Sequence, residues 1–368
     1  MKYLISGGGT GGHIYPAIAI ANEIKRNDKE ADILYIGTKE GLESKLVPKE
    51  GINFETIRVK GMPRRLNKES FVALKELFLG LIDSNKIIKG FKPDIVIGTG
   101  GYVCGPIVYQ AKRHKVPALI HEQNAFPGVT NKILSRYVDK VAVTFEESTK
   151  YFKYPDRVVV TGNPIRRELL QIDKTTAYKK INVKPDLPMV LSFGGSGGQK
   201  KLNDAILKII KDNNIIKDFQ LIHITGDRLY KEFLNELEGL NIQLSHNIKI
   251  LPYLYEMPYA LNIADLVIAS AGAITLAEIS AIGIPSILVP KGYTAENHQE
   301  YNARSFEEDG ASLMILESEL NGKILENAIS NILFNKDKLK TMAENSKSIG
   351  KLDASKEIYR IIENISLK

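Results

Sequence analysis

Five glycines fall within residues 7–12 of the opening stretch LISGGGTGGHIYPAIAIANEI. A short apolar run precedes them and a helical pattern follows. A glycine turn between strand and helix leaves backbone N–H groups at the helix N-terminus, where they and the helix dipole attract phosphate. Glycine allows the close approach that a side chain would block. A second loop of this kind, FGGSGGQKKLN, occupies residues 193–203. Gly7, Gly9 and Gly12 satisfy G-x-G-x-x-G, but a dinucleotide site also needs an acid at the end of the next strand. That run, DILYIGTKEG, ends in Gly37-Thr38, and Glu40 comes late beside Lys39. The second loop is no Walker A motif, because Lys200 follows Gln199. Arg166 and Arg167 follow a proline turn, and Glu278 lies where small residues lead from a strand into a helix. No aspartate pair of the D-x-D type is present: Asp94 and Asp265 stand alone at strand starts. The chemistry indicated is diphosphate binding of some kind.

The elements that must place these loops are strands alternating with helices. KYLIS, ADILYIG, PDIVIGTG, VPALIHE and KVAVTF read as buried strands, with helical patterns near 16–27, 70–89, 105–114 and 128–136. After RVVVTGNPIRREL the series restarts, with strands in PMVLSF, FQLIHITG, IKILPYL, DLVIAS and PSILVPKG. Such alternation predicts parallel sheets covered by helices. The chain of 368 residues is long for one core. It divides into residues 1–163, residues 164–351, and a last helix in 352–368 that packs back on the first half. Two halves with a glycine loop facing a shared cleft suit a transferase with two substrates. The single cysteine, Cys104, excludes an internal disulfide and a multi-cysteine zinc cluster. No signal peptide or transmembrane run is visible, since the apolar run 266–277 is too short to span. A cytoplasmic chain is expected. The net charge of +7 points to anionic partners, but there is no signature of nucleic-acid binding.

The segments GGGTGGHIYPAIAIA, IGTGGYVCGP, HEQNAFPGVTNK, TGNPIRRE, FGGSGGQKKLN, ASAGAITLAEI and ENHQEYNA occur in this order. Together they resemble the N-acetylglucosaminyltransferase family of peptidoglycan synthesis. The resemblance covers nearly the whole chain. It implies an α/β fold of the GT-B type, two Rossmann-like parallel-sheet domains facing a cleft. The implied reaction moves N-acetylglucosamine (GlcNAc) from UDP-GlcNAc to undecaprenyl-diphospho-N-acetylmuramoyl-pentapeptide (lipid I), giving lipid II. It implies an acceptor- and membrane-binding domain at 1–163 and a UDP-GlcNAc-binding domain at 164–351. By motif, the donor residues are Ser196 and Arg166 at the diphosphate and nucleotide, Leu254 beside uracil, and Ala273, Ile274, Thr275, Leu276, Ala277 and Glu278 around nucleotide and sugar. Glu278 would take the ribose hydroxyls. His298 and Gln299 would hold the GlcNAc hydroxyls, and Thr10, Gly11, Gly12 and Asn124 would reach the donor sugar. Gly100, Gly101 and Tyr102 would meet the lipid diphosphate. Cys104 departs from the small residue, commonly serine, expected there.

An inverting transfer needs a base for the acceptor hydroxyl and donors for the departing diphosphate. His13, at the start of the first helix, is one candidate base, and Glu122 of HEQN is the other. In 64–90, Phe71, Leu74, Phe78, Leu81 and Ile82 recur near helical spacing. Arg64, Arg65, Lys68, Lys75, Lys86 and Lys89 surround them. That pattern suits either an anionic membrane interface or a core helix with solvated lysines. The implied partners are UDP-GlcNAc, lipid I, an anionic membrane surface at the cytoplasmic face, and proteins of cell-wall synthesis, with no cofactor, no metal and no nucleic acid. The competing readings are another GT-B lipid glycosyltransferase, a non-catalytic nucleotide-sugar module, and a dinucleotide oxidoreductase.

Overall fold

The computed structural model describes residues 1–63, 68–195, 197–293 and 297–366. The chain forms two compact units. Unit 1 comprises Met1–Ile165 and Leu352–Lys368, and unit 2 comprises Arg166–Lys351.

Unit 1 holds seven parallel strands: β1 (Lys2–Ser6), β2 (Asp32–Gly37), β3 (Asn53–Thr56), β4 (Ile95–Gly98), β5 (Ala118–Glu122), β6 (Lys140–Val143) and β7 (Val158–Val160). Their spatial order is β3-β2-β1-β4-β5-β6-β7. Unit 2 holds six: β8 (Met189–Phe193), β9 (Gln220–Ile224), β10 (Ile248–Leu251), β11 (Leu266–Ala269), β12 (Ser286–Leu288) and β13 (Ser312–Met314). Their order is β10-β9-β8-β11-β12-β13. In each sheet the first strand is central and the chain winds outward on both sides. The point where the winding reverses, β1 beside β4 and β8 beside β11, is where doubly wound sheets bind ligands. Ser6 pairs with Gly98, and Phe193 with Ala269. Two loops therefore leave side by side in each unit, 7–10 with 99–103, and the one that starts at Gly194 with 270–272.

The central strands are apolar on both faces because helices cover both. In unit 1, Ile14, Ala17, Ile18, Ala21 and Ile24 of the helix Gly11–Asn27 share a core with Ile358, Ile362 and Ile365 of the helix Ala354–Ser366. A second core on the other face joins Leu4, Val96 and Ile120 to Ile107 and Val108 of the helix Cys104–Arg113. Unit 2 has its own core, from Val190, Leu221 and Ile268 to Ile329 and Met342. Strand β3, NFET, has no apolar run, because it is an edge strand and largely exposed.

Candidate active site

His13 is in the first turn of the helix Gly11–Asn27, after a loop whose Thr10 carbonyl accepts from the His13 and Ile14 amides. The imidazole rests on the Gly100–Gly101 turn. Both glycines have positive φ, 103° and 78°. A Cβ on Gly100 would lie 2.8 Å from His13 Nδ1, and one on Gly101 would lie 2.3 Å from the Gly8 carbonyl oxygen. These glycines therefore let two loops and one imidazole close on each other. Thr99 Oγ donates to the His13 carbonyl at 2.7 Å, and His13 Nδ1 is 2.9 Å from Gln123 Oε1. Tyr102, partly exposed, lies against Gly9 and Gly61. The Cys104 thiol is buried, faces the Gly101 carbonyl at 3.3 Å, and is pushed up to about 12 by burial, which leaves it inert.

The first glycine loop is not an open phosphate cradle. Glu43, wholly buried, accepts from Thr38 N at 3.0 Å, from Thr38 Oγ at 2.7 Å and from Gly9 N at 3.3 Å. Gly8 and Gly41 each lack a Cβ where one would strike this carboxylate, and Gly37 lacks one where it would strike the Glu43 Cγ. An acid does stand beyond β2, but its oxygens are bonded to protein and out of reach of a ribose. The dinucleotide motif fails here for a reason the spacing did not reveal.

Glu122, at the end of β5, is also buried. Its Oε1 accepts from Asn124 N at 3.0 Å and Asn124 Nδ2 at 3.2 Å. Its Oε2 accepts from Gly128 N at 3.2 Å and Asn131 Nδ2 at 2.8 Å. Four donors fill the carboxylate, which is built to hold the loop 123–131. His121, wholly buried, donates from Nε2 to Gly162 O at 3.0 Å, and its Nδ1 lies 2.9 Å from Gln123 Nε2. Burial lowers it to about 4, so it is neutral.

In unit 2 the glycines of the loop after β8 are held against a neighbouring turn. Gly195 and Gly198 have positive φ, and a Cβ on Gly198 would meet the Thr225 carbonyl oxygen at 2.1 Å. Ser196 lies outside the described residues. Two cations that sequence spacing did not single out reach this loop. Lys291 Nζ donates to the Gly198 carbonyl at 2.8 Å, and an Arg228 Nη lies 2.8 Å from where a Gly197 Cβ would be. Burial lowers the Lys291 ammonium, with Glu317 opposing and Arg228 adding to the shift. Lys291 N also donates to Gln299 Oε1 at 3.0 Å, which ties Gln299, beside His298 at the start of the helix His298–Glu308, to the same loop.

Arg166 and Glu278 meet although 112 residues apart. Arg166 Nε and Nη donate to Glu278 Oε1 at 3.0 and 2.7 Å. Both bonds go to one oxygen, which leaves Oε2 for another donor. Burial pushes the Glu278 carboxyl up even beside the guanidinium. Glu278 stands in the second turn of the helix Ala273–Ile282, past the dipole-capping positions. Ala273 and Leu276 are buried, so their side chains offer nothing at the surface, whereas Ile274, Thr275 and Ala277 are partly exposed. Leu254 is half-buried on the segment after β10.

The helix Lys68–Phe91 is inverted with respect to the core. Its buried residues are Ser70, Ala73, Gly80, Ser84 and Ile88. Phe71 is 78% exposed, Leu74 58% and Phe78 64%, with Ile82 at the same face and Leu81 half-buried. Gly80 is needed inside, since a Cβ there would lie 2.4 Å from the Arg58 carbonyl oxygen. Lys68, Lys75, Lys86 and Lys89 are exposed, and Arg64 and Arg65 lie outside the described residues. No helix among the described residues is long and apolar enough to cross a membrane.

Two parallel-sheet units, each with a glycine loop after its central strand, form the two-domain architecture of the GT-B class. Residues 3–143 match the glycosyltransferase family 28 N-terminal domain, and residues 189–358 match the family 28 C-terminal domain. The chain belongs to glycosyltransferase family 28. It is 50% identical over 365 residues to the UDP-N-acetylglucosamine--N-acetylmuramyl-(pentapeptide) pyrophosphoryl-undecaprenol N-acetylglucosamine transferase of Acetivibrio thermocellus, covering 99% of this chain and 98% of that one. The enzyme of the same name from Thermoanaerobacter sp. is 50% identical over 366 residues, covering all of both chains. The crystal structure of Acinetobacter baumannii MurG superimposes with a TM-score of 0.78 at 27% identity, covering 99% of this chain and 100% of that one.

Proposed function

We propose that this chain transfers GlcNAc from UDP-GlcNAc to the C4 hydroxyl of N-acetylmuramic acid in lipid I, giving lipid II with inversion at the sugar anomeric carbon. The observation that carries the reading is half identity, end to end, to enzymes that bear this name. The geometry supports it. Lys291 and Arg228 supply positive charge where a nucleoside diphosphate needs it, so the leaving group requires no divalent metal. Glu278 Oε2 takes a ribose hydroxyl, and Gln299 meets the sugar. Ser196, Leu254, His298 and the turn 273–277 complete the donor contacts. Thr10, Gly11, Gly12 and Asn124 are further donor-sugar contacts in this reading.

His13 is the base. It is partly exposed, whereas Glu122 is buried and already accepts four hydrogen bonds. Gly100, Gly101 and Tyr102 meet the lipid diphosphate. The apolar face of the helix Lys68–Phe91, ringed by lysines, lies in the anionic cytoplasmic surface of the membrane, where the lipid tail stays. Other cell-wall synthesis proteins act beside it there.

The test is transfer of labelled GlcNAc to a short-chain lipid I analogue with EDTA present. Product and UDP in equal amounts are expected. Binding of UDP-GlcNAc without transfer overturns the acceptor assignment, and absence of binding overturns the donor site.

A further inference from the structure

Gln123, the residue after β5, is 1% exposed and makes every contact through its amide. Its Nε2 lies 2.8 Å from the Thr99 carbonyl oxygen and 3.1 Å from the His121 carbonyl oxygen. Carbonyl oxygens only accept, so this end of the amide must be the NH2 group. The other end must then be the oxygen, and it lies 2.9 Å from His13 Nδ1. An amide oxygen has no proton to give, so the proton between them belongs to His13 Nδ1. In a neutral imidazole the lone pair is then on Nε2.

A second chain of contacts checks the orientation. His121 Nε2 faces the Gly162 carbonyl oxygen at 3.0 Å, so it carries a proton. His121 Nδ1 therefore accepts, and it lies 2.9 Å from Gln123 Nε2, which donates. The two amide protons of Gln123 serve three acceptors, so one is shared, but each contact requires the same amide orientation. The neutrality this requires of His121 agrees with its burial.

We infer that Gln123 is a positioning residue that holds His13 as the Nδ1–H tautomer, so that Nε2 receives the acceptor proton. This rests on the reading of His13 as base. An unconstrained histidine side chain favours the Nε2–H tautomer, which has no lone pair on that nitrogen. In the transfer, the acceptor O–H bond breaks and Nε2–H forms. The hydroxyl oxygen bonds to the sugar anomeric carbon, whose bond to the diphosphate breaks with its electron pair leaving on UDP. His13 then carries both protons, and Gln123 Oε1 still accepts from Nδ1–H.

The test is a long-range nitrogen–proton correlation spectrum of the full chain labelled with 15N-histidine at neutral pH, with His13 assigned by comparison with His13→Asn. The Nδ1–H pattern is expected. In Gln123→Met the pattern shifts to Nε2–H, and kcat falls about a hundredfold with the KM for UDP-GlcNAc unchanged. An Nε2–H pattern in the parent overturns the inference, and this spectrum decides even if the variant does not fold. A folded Gln123→Met with the parent's pattern and kcat overturns it equally. An Nδ1–H parent beside a His13→Asn variant of full kcat leaves the tautomer standing and overturns the reading of His13 as base.

Discussion

Glu122 and His13, the two candidate bases, differ in what already occupies them. Four donors converge on the Glu122 carboxylate, so Glu122→Gln places an amide NH2 against N–H groups and orphans at least one of them. The expected result is a loss of about 2–3 kcal/mol in denaturant unfolding, with kcat of the folded protein reduced far less than in His13→Ala. A Glu122→Gln loss of kcat as deep as that of His13→Ala would reverse the assignment of the base. Lys291 is tested through the diphosphate. Lys291→Gln removes one charge-assisted contact, so calorimetric affinity for UDP should fall about tenfold while affinity for uridine stays unchanged. Lys291→Arg should recover part of it. Equal losses for both ligands would mean that Lys291 only supports the loop.

At the scale of elements, the helix Lys68–Phe91 shows why periodicity reveals an amphipathic helix but not its direction. Phe71, Leu74 and Phe78 form the kind of stripe that normally packs inward. Here Gly80 lies inside because the backbone at Arg58 comes too close for a side chain, and the small residues Ala73 and Ser84 are buried with it. Each phenylalanine transferred from water to lipid is worth about 2 kcal/mol. Phe71→Ser with Phe78→Ser should therefore cut sedimentation with phosphatidylglycerol vesicles by at least about tenfold. The melting temperature and the rate with a short-chain acceptor should hold. Unchanged vesicle binding would show that another surface meets the membrane.

Across the whole molecule, each unit carries one histidine that is buried and neutral. Burial lowers His121 in unit 1 to about 4 and His223 in unit 2 to about 3. Both lie below the unfolded value near about 6.5, so the unfolded chain binds more protons as the solution is acidified. The stability is present above about pH 6.5 and is lost as pH falls below it. Between pH 7 and pH 5 each unit should lose about 2 kcal/mol, read by urea unfolding at the two values. A flat profile would mean that these histidines are solvated. Deleting 352–368 strips Ile358, Ile362 and Ile365 from the core around the helix Gly11–Asn27. At about 2–4 kcal/mol each, this should unfold unit 1 while UDP binding by unit 2 survives. Loss of UDP binding as well would show that unit 2 depends on unit 1.

The sequence by itself determined the alternating strands, the parallel sheets, the glycine loops and the helix start that presents His13. These follow from apolar periodicity and from backbone conformations that favour glycine, both local properties of the chain. It missed β3, an exposed edge with too few apolar residues to signal a strand. It also passed over Glu43, Gln123, Arg228 and Lys291, because nothing in their immediate neighbours marks them. What they touch was decided by strand order. The reversal of winding beside β1 and β8 brings distant loops to one sheet end, and only there do Gln123 reach His13 and Lys291 reach Gly198. The pairing of Arg166 with Glu278 has the same origin, since a contact across 112 residues depends on how helices settle on a sheet rather than on any spacing along the chain.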